Sequence, residues 1–550
     1  MDIPRIIATV VFVGSLVLLG DAWLKQNQDT SPDVTIQPTI SESASTLPTV
    51  SSGETITKSE DTTLPVVTGA SSESELVTVE TDLFIAKIAT NGGGLKELVL
   101  KEHHVKGNKN ESLRLFELNP SRTYTAEAGL LGLNLPNHNT KFIPNKSEHS
   151  LDVGQNTLEV SLIADTGNAQ VTKRYTFRRG SYAIDVAFGL VNRSEEALDA
   201  DAYFQIIRDG GAADGDTKFQ PTYTGGAVYT DESKFTKVDF KDMDRGKVKY
   251  PKIANDGWVA FVQHYFVAAW LPESAAQREY FTRSLGNNLY AMGYVQKLGS
   301  VQPGELRNVS TRLYAGPQEQ DKLKVLSPGL ELVVDYGWLT ILASPLFWLL
   351  STLHGFIGNW GWSIVLLTLI IKLIFFPLSA AGYKSMAKMR VLSPRLQQLK
   401  ESYGDDKQKF QQAMMELYKT EKINPLGGCM PILVQIPFFI ALYWVLLASV
   451  ELRDAPFIFW ITDLSAKDPY YVLPVLMALS MVAQSWLSPA PPDPVQAKVM
   501  KIMPVVFSIF FFFFASGLVL YWLVNNVLSI AQQWTITRAI EGGKPGNAKR

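Results

Sequence analysis

Lys372 is the single ionisable residue of the stretch Trp360–Leu378, "WGWSIVLLTLIIKLIFFPL", whose other polar groups are Ser363 and Thr368. A lysine at the centre of a membrane-spanning helix costs about 2.5–3.5 kcal/mol, so something must offset the charge or use it. The other long apolar stretches, about 430–450, 470–487 and 500–536, hold no Asp or Glu, which disfavours a buried ion pair. They hold hydroxyl, amide and aromatic groups instead: Gln435, Ser480, Gln484, Ser508, and Tyr521, Trp522, Asn525, Asn526, Ser529, Gln532 and Gln533 at helical spacing. Such groups bond helices to one another; around a lone cation they can also line a hydrated, positively charged recess. Lys372, Thr368, Gln435, Gln484, Ser508, Tyr521, Trp522, Asn525 and Ser529 are the candidates for that recess. A lone cation in such a recess attracts negative charge, with no bond made or broken. A second reading stays open, because Lys372 lies six residues, about 9 Å, from the end of its stretch and its stem can snorkel to the interface.

Other chemistries find little support. The chain has one cysteine, Cys429, and six scattered histidines, without metal-ligand spacing. No phosphate-binding G-x-x-x-x-G-K-[ST] loop occurs. "DGGAADGD" at 209–216 lacks the spacing of a calcium loop and reads as a solvated turn, as does His103-His104. A net charge of −2 gives no case for nucleic-acid binding by the whole chain, so basic character must be local.

The elements that would position the recess follow from composition. Residues 1–25 read as an uncleaved transmembrane anchor, with "IIATVVFVGSLVLLG" and no A-x-A cleavage site after it. Residues 26–76, rich in Ser, Thr and Pro with Lys58 the only basic residue, read as a disordered tether. From 77 to 334 short alternating runs predict an antiparallel β-sandwich. They include "ELVTVETDLFIAKIATNGGG", "NTLEVSLIAD", "QVTKRYTFRRGSYAIDVAFGLVN" turning at Arg179-Gly180, "YFVAAWLP" and "NVSTRLYAGP". Without cysteine this domain must stand on packing alone. Residues 335–358, apolar and aromatic but interrupted by Pro345, predict a helix lying in the membrane interface. Residues 359–537 predict five further spans, the last two joined at Ala515-Ser516-Gly517 because 500–536 is too long for one crossing.

Charge placement supports six spans. Loop 379–425 holds nine Lys/Arg against five acids, whereas loop 451–468 holds two against four. Residues 490–501 and the tail 538–550 are again basic, so both termini fall on the cytoplasmic side and the sandwich on the export side. The basic loop predicts a helical hairpin, starting at Ser393-Pro394, closed and re-capped at Gly404-Asp405, and ending at Asn424-Pro425. Leu396 and Leu399 give its first helix a small apolar face, and Phe410, Met414, Leu417 and Tyr418 give the second a larger one. Lys388, Arg390, Arg395, Asp405, Asp406 and Lys407 are its candidate docking residues.

"SMAKMR" (385–390), "GDDKQK" (404–409), "INPLGGC" (423–429), "SVELRDAPF" (449–457), "DLSAKDPYY" (463–471) and "SGLVLYWLVNN" (516–526) resemble the YidC membrane protein insertase family in its Gram-negative form. The resemblance implies a polytopic α-helical membrane protein with six transmembrane helices, five forming the core, and a periplasmic β-supersandwich. It implies a non-enzymatic insertase and chaperone of the cell inner membrane, working alone or with the Sec translocon and without cofactors. Its implied partners are nascent membrane proteins, the lipid bilayer, and the ribosome and targeting machinery at the cytoplasmic hairpin and tail. It also implies a hydrophilic groove closed to the periplasm, and an apolar slide at Phe507, Phe510 and Phe513 along which substrate helices leave. The family's usual arginine is replaced here by Lys372, which keeps the charge but loses the planar fork. Two other classes remain from the residues alone: a membrane-anchored periplasmic binding or chaperone protein, and a small-solute transporter.

Overall fold

In the computed structural model the described residues are 75–105, 108–213, 222–247, 249–273, 275–403, 406–421, 430–487 and 494–542. The expected anchor, nearly all of the tether, the acidic end of the 209–216 turn, Cys429 with its motif, Asp405, and the last residues of the tail lie outside them.

The alternating segments form strands in the predicted places. Leu76–Glu80 pairs antiparallel with Phe84–Ala89, and Ala169–Arg178 with Ala183–Asn192 across the Arg179-Gly180 turn. Among the described residues nineteen strands make two sheets, one of ten strands and one of nine, both almost wholly antiparallel. Their inner faces interdigitate as a sandwich. Phe204 of the larger sheet packs against Phe188 and Trp270 of the smaller, and Tyr124 against Phe261. The last strand, Leu306–Pro317, lies between Ala183–Asn192 and Phe266–Leu271 in the middle of the smaller sheet. The Lys173 side chain crosses the interior: its ammonium donates to the Gly92 and Ala128 carbonyls at 3.2 and 2.9 Å, and burial lowers its pKa to about 7. Two short helices decorate the sandwich, α1 (Phe240–Asp244) and α2 (Gln320–Leu326).

The rest is helical. A 3-10 turn, Gly337–Leu339, leads into α3 (Thr340–Ile357). Together, Gly337–Ile357 is the one unbroken helix among the described residues that is long and apolar enough to cross a membrane, so the segment expected in the interface also meets the length of a span. Trp338, Ile341, Trp348 and Phe356 on it are exposed. Next come α4 (Trp360–Ile374) and α5 (Phe376–Tyr403), bent by 68° at Phe375. The remaining helices are α6 (Lys407–Thr420), α7 (Met430–Ala448), α8 (Val472–Leu487), α9 (Pro494–Phe510) and α10 (Ser516–Gly542). α9 and α10 part around Ala515, as expected.

The hairpin differs from expectation at its base. Ser393-Pro394 does not start a helix: α5 is continuous from Phe376 with Pro394 inside it. An internal proline loses one helical hydrogen bond and costs about 3 kcal/mol. Leu392 and Leu396, on either side of it, bury against Tyr418, Met414 and Leu417 of α6 and offset that loss. The cap of α6 is Asp406 rather than Gly404-Asp405; its carboxylate accepts the Lys409 backbone N–H at 3.1 Å. α6 ends at Thr420, ahead of Asn424-Pro425, which lies outside the described residues.

The sandwich and the helices meet at a seam formed by Leu95–Val105, α2 and the loop after α7. Burial, with Glu319 and Asp321 nearby, raises the Glu451 carboxyl to about 7; its Oε2 is buried without a hydrogen-bond partner among the described residues. Burial and the neighbouring Arg453 lower the His103 imidazole to about 4, while Asp454 acts against them and His104 and Lys322 add to the lowering. Tyr314 and Tyr336 also face Glu451. A carboxyl raised from 4.5 supports the closed seam in its protonated form, so its support falls from pH 4.5 to about 7. An imidazole lowered from 6.5 supports the closed seam when neutral, so its support grows from about pH 4 to 6.5. Between pH 4.5 and 6.5 the two oppose each other. Glu451→Gln removes the first alone: at pH 8 the variant seam is expected to be tighter than wild type, with slower hydrogen exchange at the Leu452 and Arg453 amides. Equal exchange at pH 8 would show that Glu451 carries no buried charge.

Candidate functional site

The site is built where the last turn of α4, just before the 68° bend, faces α10. Lys372 is 8 % exposed, and its ammonium donates to the Ser529 hydroxyl at 2.8 Å. Ser529 in turn donates to the Asn525 carbonyl at 2.7 Å and also bonds the Tyr383 hydroxyl from α5. Among the described residues no carboxylate pairs with Lys372. Its position follows from α4 alone: Ile364, Leu367 and Thr368 lie one and two turns earlier on the same buried face. Thr368 itself is buried and donates its hydroxyl to the Ile364 carbonyl at 2.6 Å, so it offers packing and acceptor lone pairs but no donor.

Amide and hydroxyl pairs tie the remaining helices to this centre. Gln435 of α7 donates to Ser379 of α5 at 3.3 Å. Asn526 of α10 donates to Ser480 of α8 at 2.8 Å, and Gln533 to the Leu487 carbonyl at 3.0 Å. Gln532 reaches the Phe376 carbonyl, which the bend after Phe375 makes accessible, at 3.3 Å. Ser508 bonds back to the Pro504 carbonyl at 2.6 Å and touches the Met481 sulfur. Gln484 and Asn525 are half-buried.

Two turns above Ser529 an aromatic cluster closes over the site. The Trp522 ring stacks on Phe507 with centroids 5.8 Å apart, meets Phe511 edge-on at 4.3 Å and Phe439 at 4.5 Å. Tyr521 is buried against Phe439. The Trp522 indole N–H is buried without a partner among the described residues. Phe507, Phe510 and Phe513 are exposed on the outer face of α9 and the turn after it.

The structure therefore brings Lys372, Ser529 and Asn525 together, Tyr521 and Trp522 with Phe439, and Trp522 with Phe507. Thr368 lies a turn from Lys372, and Gln435 and Ser508 bond within their own local pairs. Tyr383 and Ser379 were missed from the sequence. They lie beyond Leu378, the end of the apolar stretch, and only the helix that runs on from Phe376 carries them to the site. On the hairpin Arg395 pairs with Glu421 at 2.6 Å and Asp406 caps α6; Lys388 is exposed there. The Arg390 and Lys407 side chains lie outside the described set, as does Asp405.

A family model described as the YidC periplasmic domain matches residues 76–349, and one described as 60Kd inner membrane protein matches residues 352–543. A membrane protein insertase YidC of Aromatoleum aromaticum is 52% identical over 548 residues, covering 99% of this chain and 99% of that protein. One of Nitrosospira multiformis is 49% identical over 565 residues, covering 100% of this chain and 99% of that protein. An active YidC insertase crystal structure with its first transmembrane domain resolved aligns with a TM-score of 0.39 at 19% identity, covering 83% of this chain and 93% of that one. With the two models spanning the sandwich and the helices in turn, and near-half identity along the whole chain, this protein belongs to the YidC membrane protein insertase family and is an inner-membrane insertase with a periplasmic β-sandwich domain.

Proposed function

We propose that insertion runs through a hydrophilic groove between α4, α7, α8, α9 and α10, in which Lys372 draws the polar, acidic outer segment of a nascent membrane protein part-way across the bilayer. The observation that carries this reading is the Lys372 ammonium, nearly buried and held by a hydroxyl rather than a carboxylate. A hydrogen bond from a charged group contributes about 1.5–3 kcal/mol, comparable with the cost of placing the lysine in the span and too little to leave the charge neutralised. A substrate carboxylate supplies the missing counter-ion. The substrate's apolar helix then leaves sideways past Phe507, Phe510 and Phe513, whose exposure suits contact with lipid or with another helix.

The same reading takes six spans with both termini in the cytoplasm, supported by the alternation of basic and acidic loops. α4 has 15 residues and α8 has 16, about 22–24 Å of helix against a hydrocarbon core of about 30 Å. Short spans thin the bilayer locally and shorten the path still to be crossed. Neither a nucleotide nor a cofactor is needed, in keeping with the absence of a phosphate-binding loop in the sequence. The Sec translocon, the ribosome and the targeting machinery are its proposed partners, the latter two at the α5–α6 hairpin and the basic tail.

The test is insertion of a small two-span substrate with an acidic translocated loop into liposomes holding the purified protein. Wild type should insert it well above empty liposomes, and a chain lacking residues 80–320 should retain that activity. Activity lost with the deletion would point to a periplasmic binding protein whose helices only anchor it. Solute uptake in place of insertion would point to a transporter.

A further inference from the structure

The loop joining α7 to α8, residues 449–468, is gripped from two sides. On the sandwich side the Arg453 guanidinium lies over the rings of Tyr265 and Phe266, 5.5 and 5.4 Å from their centroids, and donates to the His104 carbonyl. His104 sits 3.7 Å from the Asp454 carboxylate, Tyr265 bonds Ser465, and Lys109 reaches the Thr462 carbonyl at 3.4 Å. On the helical side the Asn359 amide, at the start of α4, donates to the Pro456 and Phe457 carbonyls at 3.3 and 3.2 Å. At the start of α10, Ser516 gives both its backbone N–H and its hydroxyl to the Ala466 carbonyl, at 2.7 and 2.9 Å. The Gly517 N–H goes to the Leu464 carbonyl at 2.9 Å. Gly361 has no room for a side chain because Phe457 presses on it: a Cβ there would stand 2.0 Å from the ring.

The loop thus bonds the outer ends of α4 and α10, the two helices that carry Lys372 and Ser529, and bonds the sandwich with its opposite edge. From this double grip we infer that the sandwich acts as a clamp on the outer seal of the helical core, transmitting its position through Arg453 and the 449–468 loop to the outer ends of α4 and α10. The sandwich is then not a passive attachment. A partner or substrate that displaces it relieves one side of the loop and loosens the other. Insertion of short substrates can proceed without the sandwich, while the tightness of the outer seal depends on it. The coupling holds whether or not Lys372 captures carboxylates.

The energetic centre of the sandwich side is Arg453, since a guanidinium between two rings with a charge-assisted hydrogen bond is worth more than the exposed Lys109 contact. The experiment is amide hydrogen exchange on the full-length protein in lipid nanodiscs. Arg453→Ala should speed exchange about tenfold at Leu464 in the loop and at Ser516 and Gly517 beyond it, with the sandwich strands unchanged. Lys109→Ala should leave all of them as they are. Faster exchange at Arg453 and Ala455 with Ser516 and Gly517 unchanged would overturn the inference, since the seam would then be a tether that transmits nothing. Should Arg453→Ala loosen the sandwich itself, Phe266→Leu takes its place: it removes one ring from the guanidinium and keeps apolar volume. No change at Ser516 and Gly517 in that variant would be equally fatal.

Discussion

Lys372→Ala is expected to lower insertion of a substrate with an acidic translocated loop by tenfold or more, while Lys372→Arg retains most of it. The substituted alanine removes the one charge in the α4 span and leaves Ser529 and Tyr383 facing each other across the site. Arginine restores attraction, because the partner in the resting protein is a single hydroxyl and no planar bidentate pair has to be rebuilt. The effect should scale with substrate charge: a loop with its acids changed to Asn or Gln should lose little between wild type and Lys372→Ala. Initial insertion rates into liposomes, for the two substrates and three proteins, read this directly. If the alanine variant inserts the acidic substrate at the wild-type rate, Lys372 is a snorkelling bystander, and hydration with bilayer thinning suffices.

The second large effect concerns the stability of the sandwich. Gly257 has φ +94°, and a Cβ on it would stand 1.9 Å from the Tyr229 carbonyl oxygen of the neighbouring strand. Gly257→Ala therefore meets two penalties: a left-handed conformation that costs about 1–2 kcal/mol for an L-residue, and a clash with backbone that cannot rotate away. Relief requires separating Thr224–Thr230 from Trp258–Gln263, which pair over six residues beside the buried Trp258. A loss of more than about 4 kcal/mol is expected, a large share of the roughly 5–15 kcal/mol that holds an ordinary domain folded. Gly286 is the control. Its φ is +81° with nothing within 4 Å of the added Cβ, so Gly286→Ala should show the conformational cost alone. Urea denaturation of the two variants separates the terms; similar losses in both would mean that the strand pair adjusts to the Cβ with little cost.

Much of this architecture was readable from periodicity. Alternation located Leu76–Glu80, Thr157–Asp165 and the first half of Leu306–Pro317 because one face of each is buried in a single core and the other is wetter; Leu313–Pro317 is buried on both faces. The division near Ala515 followed from length alone. Lys372 stood out because a charge in an apolar run violates the pattern around it, and Ser529 because polar groups on α10 recur at helical spacing. What stayed hidden depends on pairs distant in the chain. Arg453 and His104 are 349 residues apart, and the sequence shows only a basic residue in an acidic loop. Ser393-Pro394 has the composition of a helix start, and only burial of Leu392 and Leu396 against α6 overrides it. Tyr383 was hidden by a different boundary: it lies past Pro377, and only the helix that starts at Phe376 after the bend brings it to Ser529.

The place of strand Leu306–Pro317 bears on how the protein itself is made. It fills the gap between Ala183–Asn192 and Phe266–Leu271, and it is the last strand in the chain. Until it arrives the smaller sheet is two separate pieces, each with an open edge and half an apolar face. A chain growing from its N-terminus cannot join them before Pro317 has crossed the membrane, and α3 begins within 23 residues of that point. Completion of the outer domain and arrival of the first long helix after it are thus nearly simultaneous. Sheets closed by such long-range pairing form slowly compared with helices. The helical core can therefore assemble beneath a domain that is still closing, and the seam between them is the last part of the molecule to form.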